Sequence, residues 1–167
     1  MDGIRAFWNG FNLLSKAGNF LRCPPWFISG LAEDITLDGE LWMGPRTSHN
    51  DVMSTIQSEN GKHPWSRIGY YLFDTPSSTG TFLERMKELS VIGSRIGGHV
   101  HLVTHKECVG NSHVLEYLQS VVIAGGEGVI LRNPCAHYQP GYTLHTLKVK
   151  VQYTTYRYIA SIHQIHS

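Results

Sequence analysis

Apolar and polar residues alternate through residues 4–8 and 11–15, on either side of Asn9-Gly10. That dipeptide supplies the positive φ values a two-residue type I′ connection needs, so the pattern predicts a hairpin. Pro24-Pro25 fixes the chain before a short helical stretch at 26–31, with proline where a helix start tolerates it. Residues 35–43 read as a strand, and 51–58 as a short helix with Val52 and Ile56 four apart. The aromatic and branched run 68–73 is a strand that Asp74-Thr75-Pro76 stops. Phe82, Leu83, Met86 and Leu89 stand at helical spacing within 80–89, and 99–103 alternates again. Ser112 is placed to cap a second helix with an apolar face of Val114, Leu115, Leu118, Val121 and Val122, ended by Gly125-Gly126. Residues 129–132 and 146–153 are the last strands. Strands outnumber helices and hairpin-type links dominate, which predicts an α+β fold of antiparallel sheets with flanking helices. No repeat or low-complexity linker divides the chain.

A hydrophobic content of 41% with 16% charged residues supports a folded core over 167 residues. No apolar run approaches a membrane span and no leader pattern is visible, so no membrane partner is expected. Cys23, Cys108 and Cys135 are odd in number and widely spaced, which predicts reduced thiols and an intracellular protein, with nucleus and cytoplasm not distinguished. The net charge of +1 does not advertise a nucleic-acid binder. Its distribution says more, because no acid follows Glu127 while Arg132, Lys148, Lys150 and Arg157 remain.

Five short segments carry candidate chemistry. Asp2-Gly3-Ile4-Arg5 alone is a turn signal. Asp38-Gly39-Glu40 is also a hairpin signal in isolation, but Leu41-Trp42 continues a strand directly after it, and a strand carboxylate facing a cleft can bind a metal or a sugar hydroxyl. In 70–74 alternate side chains take opposite faces; most such runs only pack a core, yet Phe73 can offer a flat surface to a nucleobase. Glu127 stands between Gly126 and Gly128, where a ligand can approach the backbone or a helix can simply end. Lys148 and Lys150 share one strand face, either discouraging edge pairing or neutralising phosphate charge. The ten histidines include His99, His101, His105 and His113 near Cys108, but without the tight ligand pairs of a zinc site.

In this order, the segments resemble the covalent nucleotidyltransferase superfamily of ATP-dependent DNA ligases, RNA ligases and mRNA capping enzymes. The first family motif, Lys-x-Asp-Gly-x-Arg, is matched from its second position by Met1, Asp2, Gly3 and Arg5. Glu127-Gly128-Val129-Ile130-Leu131-Arg132 resembles DNA ligases, where capping enzymes more often carry Asp-Gly. Ser15-Lys16-Ala17-Gly18-Asn19, Pro25-Trp26-Phe27, Leu37-Asp38-Gly39-Glu40-Leu41-Trp42 and Gly125-Gly126-Glu127-Gly128 are similar to the small, minimal ATP-dependent DNA ligases. The resemblance implies a nucleotidyltransferase (ATP-grasp-like) adenylation domain over 1–150, lacking its first strand and motif lysine, with 151–167 a short tail without an oligonucleotide-binding-fold domain.

It further implies ATP and Mg2+ or Mn2+ as cofactors and nicked duplex DNA as partner, sealed by a monomer through a lysyl-AMP intermediate. Lys148, Lys150 and Asp2 would be catalytic. Arg5, Glu40, Phe73, Glu127, Lys148 and Lys150 would bind nucleotide, and Glu40, Glu127 and Asp38 would bind metal. Lys16 and Arg5 would meet the nick. Because the motif lysine precedes Met1, self-adenylation by this chain is not expected. The alternatives are an RNA ligase or capping-type enzyme, and a non-catalytic fragment that retains nucleotide or nick binding.

Overall fold

The computed structural model describes residues 1–58, 64–154 and 157–166, with side chains to Val151. The first strand, β1 (Ile4–Trp8), alternates as its sequence does: Ile4, Ala6 and Trp8 are buried, and Arg5 and Phe7 face away from the core. The short strand β2 (Leu13–Ser15) pairs with it, Trp8 opposite Leu13. The connection is therefore four residues, not the expected two. Asn9 explains the extra length, since its side-chain oxygen accepts from the Phe11 and Asn12 amides while Gly10 takes φ 96°.

Strand β3 (Leu37–Trp42) lies between β1 and β4 (Gly69–Asp74), both antiparallel to it. Gly39 sits in the middle of β3, beside a register shift, rather than in a turn. A side chain there would stand 2.6 Å from the Tyr71 carbonyl oxygen, so only glycine lets β4 approach. Strand β5 (Val100–Leu102) joins β4 in parallel, which the hairpin-dominated expectation missed. Among the described residues these five strands form one sheet in the order β2-β1-β3-β4-β5.

Helices cover one face of that sheet. The single turn α1 (Pro25–Ile28) is shorter than expected and anchors the fully buried Phe27. Helix α2 (His49–Gln57) begins at a Ser48/Asp51 capping box, and α3 (Phe82–Gly93) at a Thr81/Glu84 one. Val52, Ile56 and Leu89 from these helices meet Leu41, Tyr70 and Leu72 in the core. Burying each large side chain contributes about 1.5–3 kcal/mol.

The last helix, α4 (Asn111–Ile123), starts from Gly110 without a side-chain cap, so Ser112 lies inside it instead of capping it. It packs on a second sheet, in which β7 (Tyr142–Thr154) lies between β6 (Gly128–Arg132) and β8 (Arg157–His166). Residues 157–166, expected to be part of a tail, thus form an antiparallel strand. Antiparallel pairing dominates, as an α+β reading requires.

Candidate functional site

Alternation assigns the exposed face of the first sheet. Arg5 on β1 stands opposite Glu40 on β3, and Glu40 stands opposite Tyr71 on β4, two residues before Phe73. These side chains share the face that the helices leave open.

Arg5 and Asp38 form a two-pronged pair across β1 and β3, with Nε to Oδ1 at 3.0 Å and Nη2 to Oδ2 at 2.6 Å. Asp38 is 1% exposed. Its hydrogen bond holds the Arg5 guanidinium above its ordinary pKa. The geometry makes Asp38 the anchor of Arg5. Nε and Nη2 of Arg5 are committed, and among the described residues no hydrogen bond engages Nη1.

Glu40 accepts the Gly3 amide at 2.7 Å. A side chain on Gly3 would collide with the Leu41 carbonyl, so the glycine allows this close return of the chain. Burial raises the Glu40 pKa, against the Gly3 bond and the positive field of Lys148. Asp2 accepts weakly from the His49 amide at 3.4 Å, at the first turn of α2. Its field in turn helps raise the pKa of Lys150. These two fields bring a second group of charged residues within electrostatic reach of the first.

That second group forms a wall on β6 and β7, as the first does on β1, β3 and β4. Gly128 pairs with Lys150 and Ile130 with Lys148, while Val149 between them is buried on the other face. Glu127 Oε2 holds Lys150 at 2.5 Å and Lys148 at 3.4 Å. The Lys150 bond lowers the Glu127 pKa and raises that of Lys150. Lys148 moves the opposite way, lowered by burial and then by its ammonium neighbour. Both contacts are with exposed partners, so the pair is a charge reservoir more than a stabilising bridge.

Phe73 lies where the walls converge. The guanidinium carbon of Arg5 is 5.9 Å from its ring centroid and that of Arg132 is 5.5 Å away. Arg132 is held by Asp74, which also binds Arg85. Tyr138, in the loop after β6, has its phenol pKa raised by burial and by Asp38. Sequence reading noted Arg132 and Asp74 at the ends of their segments but gave no site role to them, to Arg85 or to Tyr138. Asp74 looked only like part of a strand stop, and nothing local marks a carboxylate as fully buried.

Other expected residues separate from the cluster. Lys16 stands in the exposed turn after β2 and makes no ion pair among the described residues. Glu40, Glu127 and Asp38 do not form one donor set, and among the described residues no three acids, histidines or cysteines gather to hold a metal. His99 bonds the Phe27 carbonyl at 2.7 Å, and His105 packs edge-on to Phe82.

A family model described as the ATP-dependent DNA ligase domain matches residues 27–150. A DNA ligase of Haemophilus influenzae (strain Rd) is 30% identical over 151 residues, covering 90% of this chain and 55% of that protein. A solved Lig E DNA ligase, from work on DNA binding with a minimal scaffold, superposes with a TM-score of 0.81 at 28% identity, over 90% of this chain and 59% of that one. The ligase domain of Mycobacterium tuberculosis LigD gives 0.66 at 20% identity, over 89% and 51%. A mycobacterial DNA ligase D complexed with ATP and MES gives 0.64 at 22%, over 89% and 52%. The last two likenesses are of fold alone. The chain spans little more than half the length of these relatives.

Proposed function

Because the chain belongs to the ATP-dependent DNA ligase domain family, we propose that its cleft binds ATP and serves adenylate transfer in sealing nicked duplex DNA. The observation that carries this reading is the meeting of two unlike walls at Phe73, where Arg5 of the first and Arg132 of the second both lie over the ring. One presents an aromatic ring and a half-buried carboxylate, Phe73 and Glu40; the other presents two ammonium groups, Lys148 and Lys150. A nucleotide needs both, since its base and ribose are planar and hydroxylated while its phosphates are anionic.

On this reading Phe73 stacks on adenine, worth about 1–3 kcal/mol. Glu40 and Nη1 of Arg5 meet the ribose. Lys148 and Lys150 neutralise the α-phosphate as charge builds in the transition state. Glu127 keeps Lys150 protonated, so this amine has no lone pair for attack and acts as a fixed cation. Magnesium would enter with the ATP phosphates, where Glu40 and Glu127 stand as the nearest expected carboxylate ligands. Lys16, exposed beside the hairpin, supplies a charge for the nick phosphate without the two-pronged grip of arginine.

Calorimetric titration of the chain with magnesium-ATP tests the reading, with Lys150→Ala as comparison. Binding weakened about tenfold or more by the substitution supports it. No heat of binding at millimolar ATP would reject it. Competition between nicked DNA and nicked RNA separates a DNA ligase from an RNA ligase.

A further inference from the structure

Asp74 ends β4 one residue after Phe73 and is fully buried. Its carboxylate accepts Arg85 Nε at 2.6 Å and Nη2 at 3.2 Å, Arg132 Nη1 at 2.5 Å and the Thr75 amide at 2.9 Å. Arg85 is itself buried, and its Nη1 donates to the carbonyls of Gly80 at 2.9 Å and Ala136 at 3.1 Å. Two backbone bonds run beside this cluster, from the Phe82 amide to Ala136 and from the Leu83 amide to Pro134. One carboxylate of the first sheet therefore holds the last residue of β6, in the second sheet, against the start of α3.

The geometry points to Asp74 as a positioning residue for nucleotide binding, one that sets through Arg132 how far Lys148 and Lys150 stand from a base stacked on Phe73. The inference rests on the proposed ATP site. Strand β6 runs from Gly128 to Arg132, and Lys150 and Lys148 pair with Gly128 and Ile130. A strand of this length is a stiff lever of roughly 13–17 Å. A clamp at Arg132 thus fixes the Glu127 end, and the lysines move with it. Arg132 also lies over the Phe73 ring, so base platform and clamp share one residue.

A purely structural ion cluster predicts a different result from a positioning one. Loss of glue lowers Tm but leaves the folded molecules binding as before. Loss of positioning uncouples base binding from phosphate binding. The test measures dissociation constants of adenosine and magnesium-ATP for the wild type, Asp74→Asn and Arg132→Lys, each at a temperature where circular dichroism shows it folded.

In both variants the ratio of the adenosine constant to the ATP constant should fall about tenfold, with adenosine binding changed less than about threefold. Arg132→Lys keeps a cation beside Asp74, so the experiment stands even where Asp74→Asn fails to fold. An unchanged ratio in a folded variant overturns the positioning role, whatever happens to Tm. A wild type that binds neither ligand sinks the ATP site and this inference together, whereas normal wild-type binding with an unchanged ratio sinks the inference alone.

Discussion

The two walls that meet at Phe73 hold their charges in opposite ways. On the first sheet Asp38 is 1% exposed and grips Arg5 with both oxygens; on the second, Glu127 is 46% exposed and shares one oxygen between two lysines. The carboxylates respond accordingly. Burial raises the Glu40 pKa on the first wall, whereas Lys150 lowers that of Glu127 on the second. One wall is anchored on a carboxylate buried in the core, and the other is a more exposed field that salt and pH can tune.

The sharpest way to break this contrast is to remove a partner from each wall. Asp38→Ala leaves the Arg5 guanidinium beside the core without its anion, and should cost about 3 kcal/mol. Thermal unfolding should register this as a fall of roughly 6–12 °C in Tm. Glu127→Gln should change Tm very little. Equal losses from the two would erase the distinction between the walls.

Phe73→Ala comes next in size. It should weaken adenosine binding about tenfold or more, with only a small change in Tm because the ring is half-exposed. Unaltered affinity in equilibrium dialysis would remove the stacking platform from the first wall.

The pH dependence separates the walls more finely. As pH falls, Glu40, with its raised pKa, takes up a proton before Glu127, so the ribose contact weakens while the lysine pair is still held. As pH rises, Lys148 loses its charge below its ordinary value and Lys150 above it, so ATP affinity declines in two stages. Lys148→Arg should abolish the earlier stage in an ATP titration across pH, and persistence of that stage would assign it elsewhere.

The smallest effect concerns the Glu127–Lys150 pair and stability. Since the Glu127 pKa is depressed in the folded state, its contribution is present above the ordinary glutamate value and is lost as pH falls through the depressed one. For a half-exposed pair this amounts to less than about 1 kcal/mol, and salt should screen it. A salt-independent unfolding midpoint between neutral and acid pH would show that the pair contributes nothing.

Much of this was legible in the linear chain, because strands announce themselves by period. Alternation gave the 70–74 run two unlike faces and set Lys148 with Lys150 on one side of their strand. Boundaries were less legible where side chains redraw them. The Thr81/Glu84 box starts α3 just past the expected residue 80, and Asn9 lengthens the first turn. The parallel β4–β5 pair was invisible, since a crossover through α3 leaves no mark on the pairing residues themselves.

The sequence by itself determined which side chains are available and on which strand faces they stand, because backbone periodicity is local. Only the tertiary structure decided their partners. Asp38 and Asp74 look alike as acids on aromatic-rich strands, yet folding commits one to Arg5 and the other to Arg85 and Arg132 from distant segments. Buried charge must be matched where it lies, and that match depends on contacts between residues up to 58 positions apart.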